Sequence, residues 1–143
     1  MTARRHFIAR AAACMLFMLA CWGIPAGLQA QDDRCLCDHY TITVGPKVNC
    51  KITILWSLSP LDRLRSATIE PGGKLTLPCP LYVAYIRTCR GNYQVLPIDP
   101  AGRVCSGAMN AESGCCIRAC YVRTSDGCQG IDIQPADCAS DDC

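Results

Sequence analysis

The sequence predicts a small, disulfide-rich, all-β sandwich of about six to eight short antiparallel strands, placed behind a cleaved N-terminal export signal. Three observations support this prediction. The chain begins with a leader-like segment, and the 113 residues that follow contain twelve cysteines. Short runs of β-branched and aromatic residues are interrupted by turn residues at intervals of roughly ten residues. No helical period is long enough to predict a helix.

Residues 1–30 have the composition of a secretory signal peptide. Three arginines precede an apolar run of a dozen residues, which is too short to span a bilayer comfortably, and a proline-containing break ends in small residues. We therefore expect cleavage after Ala30 and a single disulfide-rich β domain over residues 31–143. An uncleaved membrane anchor is the alternative.

The leader contains two further signals that bear on the route of export. Arg4-Arg5-His6-Phe7-Ile8 resembles the twin-arginine signal, which exports proteins that are already folded. Met18-Leu19-Ala20-Cys21 resembles a bacterial lipoprotein box, so a lipid anchor at Cys21 is an alternative to free release. The sequence thus predicts a secreted, periplasmic or cell-surface protein, without choosing between the general and the twin-arginine route.

Charge argues against nucleic acid as a partner. Three of the 14 lysines and arginines lie in the leader, which leaves 11 basic residues against 12 acidic ones and a formal charge of −1. A near-neutral domain without a basic run lacks the electrostatic footprint of a nucleic-acid-binding protein. Nor does the chain after the leader contain a run that predicts a membrane span.

The cysteines after the leader predict a structural disulfide framework, because their number is even, their density in the chain is high and an export signal precedes them. Their connectivity does not follow from spacing alone. A metal or redox site is the alternative, but no CxxC pair of the kind used by zinc sites and thiol oxidoreductases occurs. The twelve are Cys35, Cys37, Cys50, Cys79, Cys89, Cys105, Cys115, Cys116, Cys120, Cys128, Cys138 and Cys143.

The first predicted hairpin joins strands over residues 40–44 and 48–58. Apolar residues alternate with mostly polar ones from 48 to 58, which is the period of a strand with one buried face. A three-residue connection would place Val44 opposite Val48 and bring the two apolar faces together.

Two more hairpins are predicted from turn residues. Pro71-Gly72-Gly73 would connect strands that set Glu70 opposite Lys74. Gly91-Asn92 would form a two-residue type II′ turn between strands over residues 81–89 and 93–98.

The strand over residues 114–123 is the predicted centre of the fold. Its adjacent cysteines, Cys115 and Cys116, point to opposite faces, so we expect bridges on both sides of the strand. A two-residue Asp126-Gly127 turn would place Cys115 opposite Cys138, at a separation that a disulfide accepts. The sequence therefore predicts a Cys115–Cys138 bridge.

The sequence contains little that is typical of a catalytic site. His39 is the only histidine after the leader, and no nucleophile motif accompanies it, so we expect a surface residue. Carboxylates for a glycoside hydrolase would have to come from Asp99, Glu112, Asp126 and Asp132.

Two binding patterns remain. Asp137, Asp141 and Asp142 offer oxygen ligands for calcium but lack EF-hand spacing, which favours a solvated tail. Aromatic side chains could form a sugar-binding face, although on strands about half of them should be core. These are Trp56, Tyr82, Tyr85, Tyr93 and Tyr121.

We therefore expect a binding or structural module of the cell envelope or extracellular space, acting on a protein or carbohydrate surface. No catalytic residue, cofactor or metal ligand is assigned. The alternatives are a secreted carboxylate-dependent hydrolase and an exported metal-binding protein.

Overall fold

The computed structural model describes residues 35–98, 104–138 and 143; the predicted leader lies outside these ranges. Nine strands occur in the described residues. They are β1 His39–Val44, β2 Ile52–Ser57, β3 Arg65–Ile69, β4 Lys74–Pro78, β5 Val83–Arg87, β6 Tyr93–Val95, β7 Met109–Asn110, β8 Cys116–Arg123 and β9 Gln129–Pro135. Nowhere in these ranges is there a helix long and apolar enough to cross a membrane.

The strands form two sheets, which confirms the predicted disulfide-rich β-sandwich. The five-stranded sheet has the order β4-β1-β9-β8-β7, and the four-stranded sheet has the order β3-β2-β5-β6. One pairing departs from the all-antiparallel prediction, because β1 runs parallel to β9.

The core lies between the two inner faces and follows the period-two pattern of the sequence. In β1 every second side chain is buried, and the same holds at the start of β2 and at Gln129, Ile131 and Ile133 of β9. The side chains with no exposed surface include Ile42, Ile54, Ile86, Ile117 and Ile133. Burial of such branched residues stabilises the fold by about 1.5–3 kcal/mol each.

The predicted hairpin between residues 40–44 and 48–58 is wrong. β1 and β2 lie in different sheets, and the chain between them turns at Gly45, whose carbonyl accepts a hydrogen bond from the Val48 N–H at 3.0 Å. Their apolar faces coincide because both face the same core from opposite sides. Matching faces alone cannot distinguish two strands in one sheet from two strands packed across a sandwich.

The turn at Pro71 is correct, but its flanking strands do not pair with each other. Gly73 N–H donates to the Glu70 carbonyl at 2.9 Å, and Gly72 has a φ of 76°, as a type II turn requires. β3 then pairs with β2, whereas β4 pairs with β1. Glu70 therefore lies 2.8 Å from the Lys51 ammonium instead of opposite Lys74.

The β5–β6 hairpin has a three-residue loop rather than the predicted two-residue turn. The Thr88 N–H donates to the Asn92 carbonyl at 2.9 Å, and Gly91 N–H returns to the Thr88 carbonyl at 3.0 Å. Gly91 has a φ of 77°, a left-handed conformation that glycine adopts without steric cost. As a result, Arg87 pairs with Tyr93.

The β8–β9 hairpin uses the same three-residue loop, so its predicted register is one residue out. Val122 pairs with Gly130 instead of Ile131. Gly127 has a φ of 80°, and Asp126 accepts the Cys128 N–H at 3.2 Å, which stabilises the longer loop.

The slip makes the predicted Cys115–Cys138 bridge wrong. A one-residue change of register changes which residues of the two strands share a face of the sheet. Cys116 therefore bridges Cys138, while Cys115 points into the core and bridges Cys50. The two adjacent cysteines do serve opposite faces of β8, as predicted.

All twelve described cysteines are paired. Four of the bridges join cysteines 44 to 91 positions apart, and a bridge restricts the unfolded ensemble most when the enclosed loop is long. They are Cys35–Cys79, Cys37–Cys128, Cys50–Cys115, Cys89–Cys143, Cys105–Cys120 and Cys116–Cys138.

Candidate functional site

A cleft of about 410 Å³ opens between the β5–β6 loop and β7. Two backbone hydrogen bonds join the elements that flank it: the Cys89 N–H donates to the Asn110 carbonyl at 3.2 Å, and the Glu112 N–H donates to the Arg87 carbonyl at 3.0 Å. An Arg87–Glu112 ion pair at 3.3 Å reinforces the same junction. The two sheets are thus linked at this edge.

The remaining wall of the cleft comes from the chain after β9. Asp137 and Cys138 line it, and the bridge from Cys138 to Cys116 attaches this wall to β8. Its lining residues are Thr88, Cys89, Arg90, Asn92, Tyr93, Gln94, Ala108, Met109, Asn110, Asp137 and Cys138.

Planar polar side chains dominate the cleft. Arg90, Asn92, Gln94 and Asp137 form no hydrogen bond or ion pair with another side chain in the described part of the protein. A guanidinium, two amides and a carboxylate together offer both donors and acceptors. These groups are therefore available to a polar ligand.

One aromatic ring accompanies them. Tyr93 is 51% exposed, and its ring centre lies 6.0 Å from that of Tyr85, with 46° between the ring planes. Tilted aromatic pairs at this distance attract each other, which orients the exposed ring. The cleft thus combines an apolar platform with polar groups.

Of the aromatic residues singled out from the sequence, only Tyr85 and Tyr93 come together. Trp56 faces the core, where its indole Nε1 is buried without a hydrogen-bond partner in the described residues. Tyr82 is exposed outside the cleft, and Tyr121 is half-buried in β8. The five residues therefore do not share one aromatic face, and Trp56 packs against the core.

A second cluster surrounds His39, at the start of β1. Its Nδ1 lies 2.9 Å from Asp38 Oδ1, and its Nε2 lies 3.2 Å from Asp126 Oδ2 in the β8–β9 loop. The other oxygen of Asp126 accepts hydrogen bonds from the Thr124 hydroxyl and the Cys128 N–H. His39 lies partly exposed at the surface and connects β1 to a loop 87 positions away.

Electrostatics favour the charged form of every member of this cluster. Hydrogen bonds to Asp38 and then Asp126 raise the pKa of His39. The Thr124 hydroxyl, followed by the Cys128 N–H, lowers the pKa of Asp126 to about 2. The hydrogen bond from His39 lowers the pKa of Asp38. The two carboxylates therefore stabilise the protonated form of the imidazole, and the imidazole stabilises the ionised form of Asp38.

The order of these contacts does not suit nucleophilic catalysis. A catalytic hydroxyl must donate to an imidazole nitrogen that can take its proton. Here the Thr124 hydroxyl donates to the Asp126 carboxylate instead, and both ring nitrogens of His39 form hydrogen bonds with carboxylates. The cluster therefore lacks an activated nucleophile.

The candidate hydrolase carboxylates are dispersed. Glu112 pairs with Arg87, Asp126 contacts His39, and Asp132 accepts a hydrogen bond from the Gln134 amide at 2.7 Å. Asp99 lies outside the described residues, as do Asp141 and Asp142, while Asp137 lines the cleft.

Comparison with known proteins finds no family model that matches the chain, and no match among curated proteins or solved structures. The function has to be inferred from the geometry of the described residues.

Sequence reasoning missed most of the cleft. Tyr93 and Asp137 were considered for binding, but Arg90, Asn92 and Gln94 were assigned only to a turn and a strand. Exposed polar residues around a hairpin loop are the available signal. β7 and residues 137–138 lie beside them only in the folded chain.

Proposed function

We propose that the protein is an exported binding module that recognises a short saccharide in the cleft beside Tyr93. The observation that carries the proposal is the combination, in one concave site, of an exposed tyrosine ring with unengaged planar polar side chains. The volume of about 410 Å³ falls within the range of small-molecule sites, roughly 300–1,000 Å³.

The chemistry of a sugar ring requires this combination. Its hydroxyl groups both donate and accept hydrogen bonds, so amides, carboxylates and guanidinium groups complement them. Its C–H faces are apolar and pack on aromatic rings, which carry a large apolar surface at a low cost in side-chain entropy. Asn92, Gln94 and Asp137 meet the first requirement, and Tyr93 meets the second.

The disulfide framework supports an oxidising destination. Six bridges in a small β domain are typical of secreted and envelope proteins and uncommon in reducing compartments. Together with the leader, they support a destination in the envelope or in the surrounding medium.

Tyr93→Ala tests the proposal directly. The protein without its leader is applied to an array of oligosaccharides and envelope polysaccharides, and the affinity for each hit is then measured by calorimetry. Loss of one aromatic contact of about 0.5–1.5 kcal/mol should weaken binding about two- to twelvefold. Gln94→Ala should weaken it by a similar factor through a lost hydrogen bond.

Tyr82→Ala is the matched control. Tyr82 has the same exposed fraction as Tyr93, 51%, but lies outside the cleft. Binding should survive this substitution. The proposal fails if no saccharide on the array binds, or if Tyr82→Ala weakens binding while Tyr93→Ala does not.

A further inference from the structure

The bridge between Cys37 and Cys128 lies beside the His39 cluster, and the four residues form two pairs with identical spacing. Cys37 and His39 are two positions apart at the start of β1, and Asp126 and Cys128 are two positions apart in the β8–β9 loop. The donor atoms of His39, Asp126 and Cys128 all lie within 4.8 Å of one another. The Cys37 sulfur is bonded to that of Cys128 and is therefore adjacent to the same point.

These residue types are those that zinc prefers. Zinc binds thiolate sulfur, imidazole nitrogen and carboxylate oxygen in tetrahedral sites, at about 2.3 Å to sulfur and about 2.0–2.2 Å to nitrogen and oxygen. Such a tetrahedron separates its donors by about 3.3–3.8 Å. His39 Nε2 and Asp126 Oδ2 already lie 3.2 Å apart.

We propose that the chain with Cys37 and Cys128 reduced binds one zinc ion through Cys37, His39, Asp126 and Cys128. Zinc binding and formation of this bridge exclude each other. Thiolates on a tetrahedral zinc stand about 3.8 Å apart, whereas bonded sulfurs are about 2.05 Å apart and have no thiolate charge left for a metal.

The surrounding hydrogen bonds already orient two of the ligands. Asp38 accepts the Nδ1 proton of His39, which leaves Nε2 as the metal-binding nitrogen, in the carboxylate–histidine arrangement found around zinc sites. The Thr124 hydroxyl and the Cys128 N–H hold Asp126 Oδ1, which leaves Oδ2 facing His39. In the oxidised protein Nε2 and Oδ2 face each other at 3.2 Å, and zinc would enter between them.

The exchange balances in protons and electrons. Zinc binding releases the two thiol protons and, from the imidazolium, the Nε2 proton. A disulfide-containing oxidant then takes two electrons from the thiolates and two protons from water and becomes a dithiol. The Cys37–Cys128 bond forms, zinc leaves to water, and His39 Nε2 takes a proton from water.

Cys37→Ser makes the site accessible in an otherwise bridged protein. The variant frees the Cys128 thiol and keeps the other five bridges. Cobalt(II), whose visible absorption reports tetrahedral thiolate coordination, serves as the probe and zinc as the competitor. We expect one cobalt per chain, displaced by zinc, and loss of binding on adding His39→Gln. Cys35→Ser, which frees the Cys79 thiol instead, is the matched control and should not bind.

Two further measurements keep the test decisive. Asp38→Asn in the Cys37→Ser background should weaken cobalt binding about ten- to a hundredfold, since it removes the group that orients His39. If Cys37→Ser does not fold, the reduced wild-type chain is refolded with and without zinc, and the bridges are mapped over time. Zinc should then delay pairing of Cys37 with Cys128 more than pairing at the other bridges. Equal binding by the two cysteine variants, insensitivity to His39→Gln, or unchanged pairing order would overturn the proposal.

Discussion

Replacing Gly130 by alanine should loosen the parallel pairing of β1 with β9. A Cβ atom at Gly130 would lie 2.7 Å from the Thr41 carbonyl oxygen and 3.0 Å from Thr124 Cγ2. The first neighbour is backbone and belongs to the paired residue of β1, so it cannot rotate away. One strand must shift, with loss of ladder hydrogen bonds.

The cost should be that of overpacking a well-packed interior, about 1–3 kcal/mol. For a domain of this size, that corresponds to a lowering of Tm by roughly 4–20 °C. Thermal unfolding followed by circular dichroism, with urea unfolding as a second measure, gives the value.

Gly107→Ala is the matched control for this prediction. No atom lies within 4 Å of its Cβ position, and the change should alter stability by no more than about 0.5 kcal/mol. If Gly130→Ala melts like Gly107→Ala, β1 does not approach β9 as described.

Four further predictions concern stability. Because the pKa of His39 is raised in the folded state, its contribution to the free energy of unfolding is complete below the usual value of 6.5 and is lost as pH rises through the raised value. The urea midpoint should therefore fall as pH rises across this range, and His39→Gln should abolish that fall. The pKa of Asp126 is lowered to about 2, so its contribution is present above 3.8 and is lost as pH falls towards 2, which Asp126→Asn should abolish. Ile131 has no exposed surface, so Ile131→Ala should lower the free energy of unfolding by about 2–5 kcal/mol. Val104 is exposed, and Val104→Ala should change it little. Reducing all six bridges should unfold the protein near 37 °C, because one native bridge is typically worth about 2–5 kcal/mol of a total of about 5–15 kcal/mol, and a melt unchanged by reductant would contradict this.

The strand segments could be predicted because their signal is local. Alternation in β1 and β2, and the two faces of β8, follow from a period of two and the position of apolar side chains. Partner choice could not be predicted in the same way. β1 and β2 show compatible faces whether they pair or pack across the core, and only the whole set of strands decides between these arrangements.

The strand registers of two hairpins could not be predicted because their loops are longer than the turn dipeptides suggest. In both the β5–β6 and β8–β9 loops the glycine occupies the third position, with a positive φ, instead of a position in a two-residue turn. A type I turn followed by a left-handed glycine makes the loop one residue longer than the dipeptide suggests. That single residue decides whether Cys115 or Cys116 meets Cys138.

The sites were the least predictable part. The cleft combines a hairpin loop, the short strand β7 and residues 137–138, which are remote from one another in sequence. The sequence predicts His39 as a surface residue and offers Asp126 as a turn residue and candidate carboxylate, but their contact depends on the parallel placement of β1 beside β9.

The most direct test of saccharide recognition is a nuclear magnetic resonance titration of isotope-labelled protein with the oligosaccharide that binds on the array. The account predicts that shift changes concentrate at residues 88–94, 108–110 and 137–138, with Tyr93 among the largest. Changes concentrated around His39 and Asp126, or on the exposed face beside Tyr82, with the cleft unaffected, would contradict it.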